Sequence, residues 1–139
     1  VLDASPEAEF YPEALFELGR AYTLNDDDEN AFSCFRKLAD TVKDSTFVAR
    51  AYIEMGSLAR NQSQFNEALG YYKTVVEHMP LSGYAEDALL AIESIYQTRN
   101  EPEEYIAYIE TIGKGATKTA DEKENMIFNS AEQIFLSEN

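Results

Sequence analysis

The sequence has no tryptophan, one cysteine (Cys34) and one histidine (His78). A lone cysteine cannot close an intramolecular disulfide, so it neither requires nor excludes an oxidising compartment. Positive charge is scarce too: 11 Lys and Arg stand against 26 Asp and Glu, for a net charge of −15. Such a field repels phosphate backbones and anionic head groups, which argues against nucleic acid or a membrane surface as the partner. No apolar run approaches the roughly 18 residues of a membrane span, so no membrane insertion is expected. The opening Val1-Leu2-Asp3 has neither an initiator Met nor a basic, apolar signal region, and reads as the start of an excised or processed fragment. Also missing are Cys-x-x-Cys, a Gly-rich phosphate loop, a serine nucleophile elbow and His-Glu-x-x-His. No cofactor, metal site or catalytic residue is therefore expected.

What is present is a repeat. Nine Tyr and eight Phe in 139 residues make a folded core certain enough to look for its period. Gly19 and Gly56 are 37 residues apart, in Leu18-Gly19 and Met55-Gly56. The same interval aligns Phe10, Phe47 and Tyr84, then Ala14, Ala51 and Ala88, then Leu15, Tyr52 and Leu89, then Leu18, Met55 and Ile92, without gaps. Within each unit apolar residues recur at i, i+3, i+4 and i+7, the spacing of a helix face. Each unit is thus expected to be a helical hairpin, and the chain all-α.

Helix signals fall in phase with the repeat. Asp26, Ser63 and Asn100, again 37 apart, are residues that accept hydrogen bonds from first-turn amides, and each is expected to N-cap a second helix. Glu29 and Glu103 stand at capping-box spacing from Asp26 and Asn100, and Pro102 falls in a first turn, where a missing N–H does no harm. Ser5-Pro6, Ser45 and Ser82 mark the first helices. Seven helices are expected, at roughly 6–24, 27–42, 45–61, 64–79, 82–98, 101–112 and 119–137. The repeats run at about 12–48, 49–85 and 86–118, with the first helix of a further repeat at about 119–139. Gly113-Lys114-Gly115-Ala116-Thr117-Lys118 is the expected joint.

The columns Tyr52, Met55-Gly56, Ala59, Ala68, Tyr72, Val75 and Pro80 resemble the tetratricopeptide consensus, and Leu15, Leu18-Gly19, Tyr22, Ala31, Phe35 and Leu38 resemble it one repeat earlier. The third unit departs from it, with Glu93 for Gly and Tyr105 for Ala, so that hairpin is splayed or those residues lie at its rim. The resemblance implies a right-handed α-α superhelix of helical hairpins, cut at both ends from a longer array. The 37-residue form with Pro80-Leu81-Ser82-Gly83-Tyr84-Ala85 before the first helix is similar to repeats of bacterial cell-envelope proteins, the periplasmic partner of the Tol-Pal system and outer-membrane assembly lipoproteins among them. That implies a periplasmic or envelope location, with the cytoplasm as the alternative.

Binding is then expected on the face of the first helices opposite the Leu15, Leu18, Gly19 and Tyr22 stripe. Phe16, Ile53 and Leu90 recur there one repeat apart, with Arg20, Thr23, Ser57, Arg60, Ser94 and Gln97 beside them. Large apolar residues away from the core stripe suggest a ladder for a partner segment; burial of part of the ladder against the neighbouring hairpin is the other reading. Families that clamp a C-terminal carboxylate carry Lys and Asn where this chain has Phe16 and Arg20, then Ile53 and Ser57, which disfavours such a clamp. The expected function is a scaffold or adaptor that binds a peptide or protein surface in the concave groove. The alternative is a structural module that stacks end to end with further repeats or another copy. Cys34 and His78 are read as a buried thiol and a helix-terminal imidazole, and Asp26-Asp27-Asp28-Glu29, without the ligand spacing or Gly of an EF-hand, as a solvated first turn.

Overall fold

A computed structural model describes residues 11–113. Among them are six helices and no strand: α1 (Tyr11–Leu24), α2 (Asp28–Thr41), α3 (Ser45–Asn61), α4 (Phe65–His78), α5 (Ala85–Thr98) and α6 (Pro102–Thr111). The seventh expected helix, residues 6–10 of the first, and positions 114–118 of the expected joint lie outside the described residues. The chain divides into two compact units, Val1–Leu89 and Leu90–Asn139, with the division inside α5.

Local chemistry accounts for the helix ends. Asp44 caps α3, its carboxylate accepting from the Thr46 amide at 2.9 Å. Pro102 opens α6 at its first position. α5 starts at Ala85 rather than Ser82, because Ser82-Gly83-Tyr84 forms a turn: the Ser82 amide donates to the Met79 carbonyl at 3.1 Å, and the Tyr84 amide to Ser82 Oγ at 3.3 Å.

Asp26, Ser63 and Asn100 do not cap the second helices; they end the first ones. All three are left-handed, with φ of 58°, 60° and 58°. The Asp26, Ser63 and Asn100 amides donate to the Thr23, Arg60 and Gln97 carbonyls at 3.1, 2.9 and 3.0 Å. The next residues, Asp27, Gln64 and Glu101, donate to Tyr22, Ala59 and Tyr96 at 2.9, 2.8 and 2.8 Å. This pair of bonds satisfies carbonyls that a helix C-terminus leaves open, and it needs one left-handed residue after the last turn. Caps therefore fall one residue later, at Asp27, Gln64 and Glu101, and only Asp27 makes a side-chain cap bond, to the Asn30 amide at 3.3 Å.

In unit 1 the apolar stripes of α1, α2 and α3 close one core around Leu15, Phe35, Leu38, Ala51, Met55 and Leu58. Ala68, Tyr72 and Val75 of α4 are buried as well. Burial of each large side chain is worth about 1.5–3 kcal/mol. Gly19 and Gly56 are where the helices of a hairpin touch: a Cβ on either would stand 2.7 Å from the ring of Phe35 or Tyr72 respectively. In unit 2, Ile92, Ile95, Tyr105 and Ile109 are buried. Tyr105 is thus no rim residue. Where the earlier repeats have Ala31 with Phe35 and Ala68 with Tyr72, the third has Tyr105 with Ile109, the bulkier ring one turn earlier.

Candidate partner-binding face

On unit 1 the outer positions of α1 and α3 meet in a hollow of about 270 Å³, lined by Phe16, Arg20, Arg50, Ile53, Glu54 and Tyr84. Three of the expected site residues, Phe16, Arg20 and Ile53, come together here. They do so on different terms. Arg20 is exposed and Ile53 half-buried, whereas Phe16 is only 2% exposed.

Phe16 is therefore not a rung offered to a partner; at this position the other expectation holds, burial against the neighbouring helices. Its ring packs on Phe35 at 5.6 Å between centroids, and the Arg50 guanidinium lies 3.9 Å from its centroid. Arg50 is also 5.5 Å from the Phe47 ring. An arginine stacked on an aromatic face shields the ring from water while its charge stays at the rim, worth about 0.5–2 kcal/mol. Phe16 forms the floor of the hollow, with Arg50 over it and Ile53 on the wall.

The charges of the hollow are coupled. Burial raises the Glu54 carboxyl above its ordinary value, against the pull of Arg20 and Arg50. Two guanidinium groups and one carboxyl line the hollow, so its formal charge is positive in an acidic chain.

One turn beyond Ile53 on α3, Ser57 shares a hydrogen bond with the Tyr72 hydroxyl at 3.1 Å. It braces the ring that fills the Gly56 contact rather than facing outward alone. Tyr72 is held above its ordinary pKa by burial, opposed by that hydrogen bond and by Arg60, with Glu54 adding to the rise. Thr23 donates from Oγ1 to the Gly19 carbonyl of its own helix at 3.1 Å. In unit 2, Leu90 is 63% exposed, Ser94 half-buried and Gln97 exposed, at helical spacing along one side of α5. The Ser94 carbonyl accepts from Thr98 Oγ1 at 2.9 Å.

Glu54 and Tyr84 were not among the expected site residues, and Arg50 was not singled out from its face. The alignment of Tyr84 with Phe10 and Phe47 was the available signal for an aromatic wall. Cys34 is buried and free, and burial pushes its thiol up against the weaker effect of Lys37, which makes it a poor nucleophile. His78 is exposed at the end of α4. Among the described residues no group of three or more His, Cys, Asp or Glu is placed to hold a metal ion. No helix among them is long and apolar enough to cross a membrane. Comparison with known family models and with curated proteins finds no match for this chain.

Proposed function

We propose that this chain is a protein-binding module built of tetratricopeptide-like hairpins, which docks a peptide or protein segment on the outer face of its first helices. The observation that carries the reading is the hollow in which Ile53 stands beside Arg20 and Arg50 over the ring of Phe16. It sets an apolar contact and two guanidinium groups in the lining of one hollow, a combination that suits a segment with an apolar residue next to an acidic one. The repeat reading is supported by the left-handed residues Asp26, Ser63 and Asn100 at 37-residue intervals and by the Gly19–Phe35 and Gly56–Tyr72 contacts. A bacterial cell-envelope setting belongs to the same proposal and rests on the resemblance of residues 80–85.

Selection from a displayed random-peptide library tests the reading. Enriched peptides should pair an apolar residue with Asp or Glu and should lose binding to folded Ile53→Ser and Arg20→Glu variants. Peptides that bind both variants as tightly as the parent would remove the hollow from consideration.

The second reading, end-to-end association, has its own observation. Leu24 is 84% exposed and borders an apolar hollow of about 470 Å³ with Leu18, Ala21 and Tyr22 at the end of α1. Reversible growth in sedimentation at rising concentration, abolished by Leu24→Glu, would favour it; a persistent monomer would not.

A further inference from the structure

A separate cleft of about 390 Å³ opens on unit 1 between the start of α2, the end of α3 and the start of α4. Phe32, Leu58 and Tyr71 supply apolar walls, and Asp28, Glu29 and Glu67 supply carboxylates; among the described residues no Lys, Arg or His lines it. The Phe32 and Tyr71 rings are tilted at 60° with centroids 5.7 Å apart. These two rings already attract one guanidinium. Arg36, which does not line the cleft, lies 5.6 Å from both centroids and donates to the Tyr71 hydroxyl at 3.2 Å. Asp28 accepts from Gln62 Nε2 at 3.1 Å, while Glu29 and Glu67 are exposed.

First-turn acids offset the dipoles of α2 and α4, which accounts for carboxylates on those turns but not for the aromatic-walled cavity they border. Nor does the repeat impose all of them: Glu67 recurs as Glu104, but Asp28 and Glu29 do not recur. One repeat after Asp28 and Glu29 stand Phe65 and Asn66. One repeat after Gln62 and Gln64 stand Arg99 and Glu101, whose side chains form an ion pair at 2.9 Å. At those positions the chain supplies its own guanidinium; in the cleft it supplies glutamines, and the carboxylates face no cation of the lining.

We propose that this cleft binds an arginine side chain of a basic partner segment, its stem along Phe32 and Leu58 and its guanidinium at Glu29 and Glu67. The occupant follows from charge and shape together. Carboxylates reward a cation, aromatic faces reward a flat and weakly hydrated one, and arginine meets both conditions better than lysine. The site shares no lining residue with the Ile53 hollow and takes the opposite charge.

The test is an NMR titration of the whole chain with an acetylated, amidated peptide alternating arginine and glycine, beside its lysine and glutamate counterparts. The arginine peptide should shift the signals of Gln62, Gln64 and Tyr71, the lysine peptide should bind more weakly, and the glutamate peptide should shift none of them. Glu29→Gln with Glu67→Gln, both at exposed positions, should lower arginine-peptide affinity by about tenfold. Glu103→Gln with Glu104→Gln changes net charge equally and should leave the affinity within about twofold. Equal losses in the two double variants, shifts centred on Ile53 and Tyr84, or lysine binding as tight as arginine would each overturn the proposal.

Discussion

The ring of Tyr72 lies against the backbone of Gly56, so close that a Cβ on the glycine would stand 2.7 Å from Cζ. Phe35 makes the same contact with Gly19 one repeat earlier. Gly70, one helix away, has nothing within 4 Å of its would-be Cβ. Gly56→Trp should therefore cost at least about 1–3 kcal/mol, because a packed ring must be displaced. Gly70→Ala should gain about 0.5–1 kcal/mol, the ordinary helix preference of alanine. Urea denaturation of the two variants checks the hairpin register; equal stabilities would refute it.

Ser63 holds the left-handed turn between α3 and α4 at φ 60° without glycine's freedom. Ser63→Gly should stabilise by about 0.5–1 kcal/mol, since it removes the steric penalty of that region. Asn100→Gly should gain less, because asparagine tolerates this conformation. Ser63→Val, a β-branched residue at positive φ, should lower the melting temperature clearly.

Glu54 yields a pH prediction with a definite sign. Its folded carboxyl titrates above the ordinary value of 4.5, so the folded chain holds that proton more tightly than the unfolded chain. This group's contribution to stability consequently falls as pH rises from 4.5 through the folded pKa, and the penalty persists above it. Glu54→Gln should be more stable than the parent at pH 7, with the gain fading below pH 4.5. Denaturation curves of both proteins at pH 4 and 7 measure the difference; a variant weakened at neutral pH would mean that Arg20 and Arg50 outweigh burial.

Leu90→Ser should leave the fold within about 0.5 kcal/mol of the parent, since most of the side chain is already in water. Ile53→Ser, at a half-buried position, should cost roughly 1 kcal/mol or more. Arg50→Ala should cost about 0.5–2 kcal/mol by uncovering Phe16. Against a peptide selected on this face, Ile53→Ser and Arg20→Glu should each weaken binding several-fold, the arginine effect shrinking in high salt. Calorimetric titrations at two salt concentrations separate the apolar and ionic parts.

Six helices, their order and nearly all their limits were legible in the sequence, because helix periodicity and turn chemistry depend on residues within a few positions of one another. The place of Gly19 and Gly56 in the apolar stripe was legible for the same reason, amplified by repetition at 37 residues, whereas the rings of Phe35 and Tyr72 that pack on them stand on the next helix. Asp26, Ser63 and Asn100 are legible as residues of a helix end, but not which end. Short polar side chains suit both an N-cap and a left-handed helix end, and only the backbone bonds from Asp27, Gln64 and Glu101 separate the two.

The sites were less legible. Phe16 shares a column with Ile53 and Leu90, yet its burial is set by α2 and α3, through Phe35 and Arg50, which no helical wheel of α1 contains. The cleft at Glu29 and Glu67 joins side chains from three helices and has no signature along the chain. The sequence by itself determined where this protein turns and which stripe of each helix is apolar, since those follow from bonds and spacings within a few residues. Only the tertiary structure decided which outward residues stay accessible and which charges share a cavity, because exposure and electrostatic neighbourhood depend on whatever helix packs alongside.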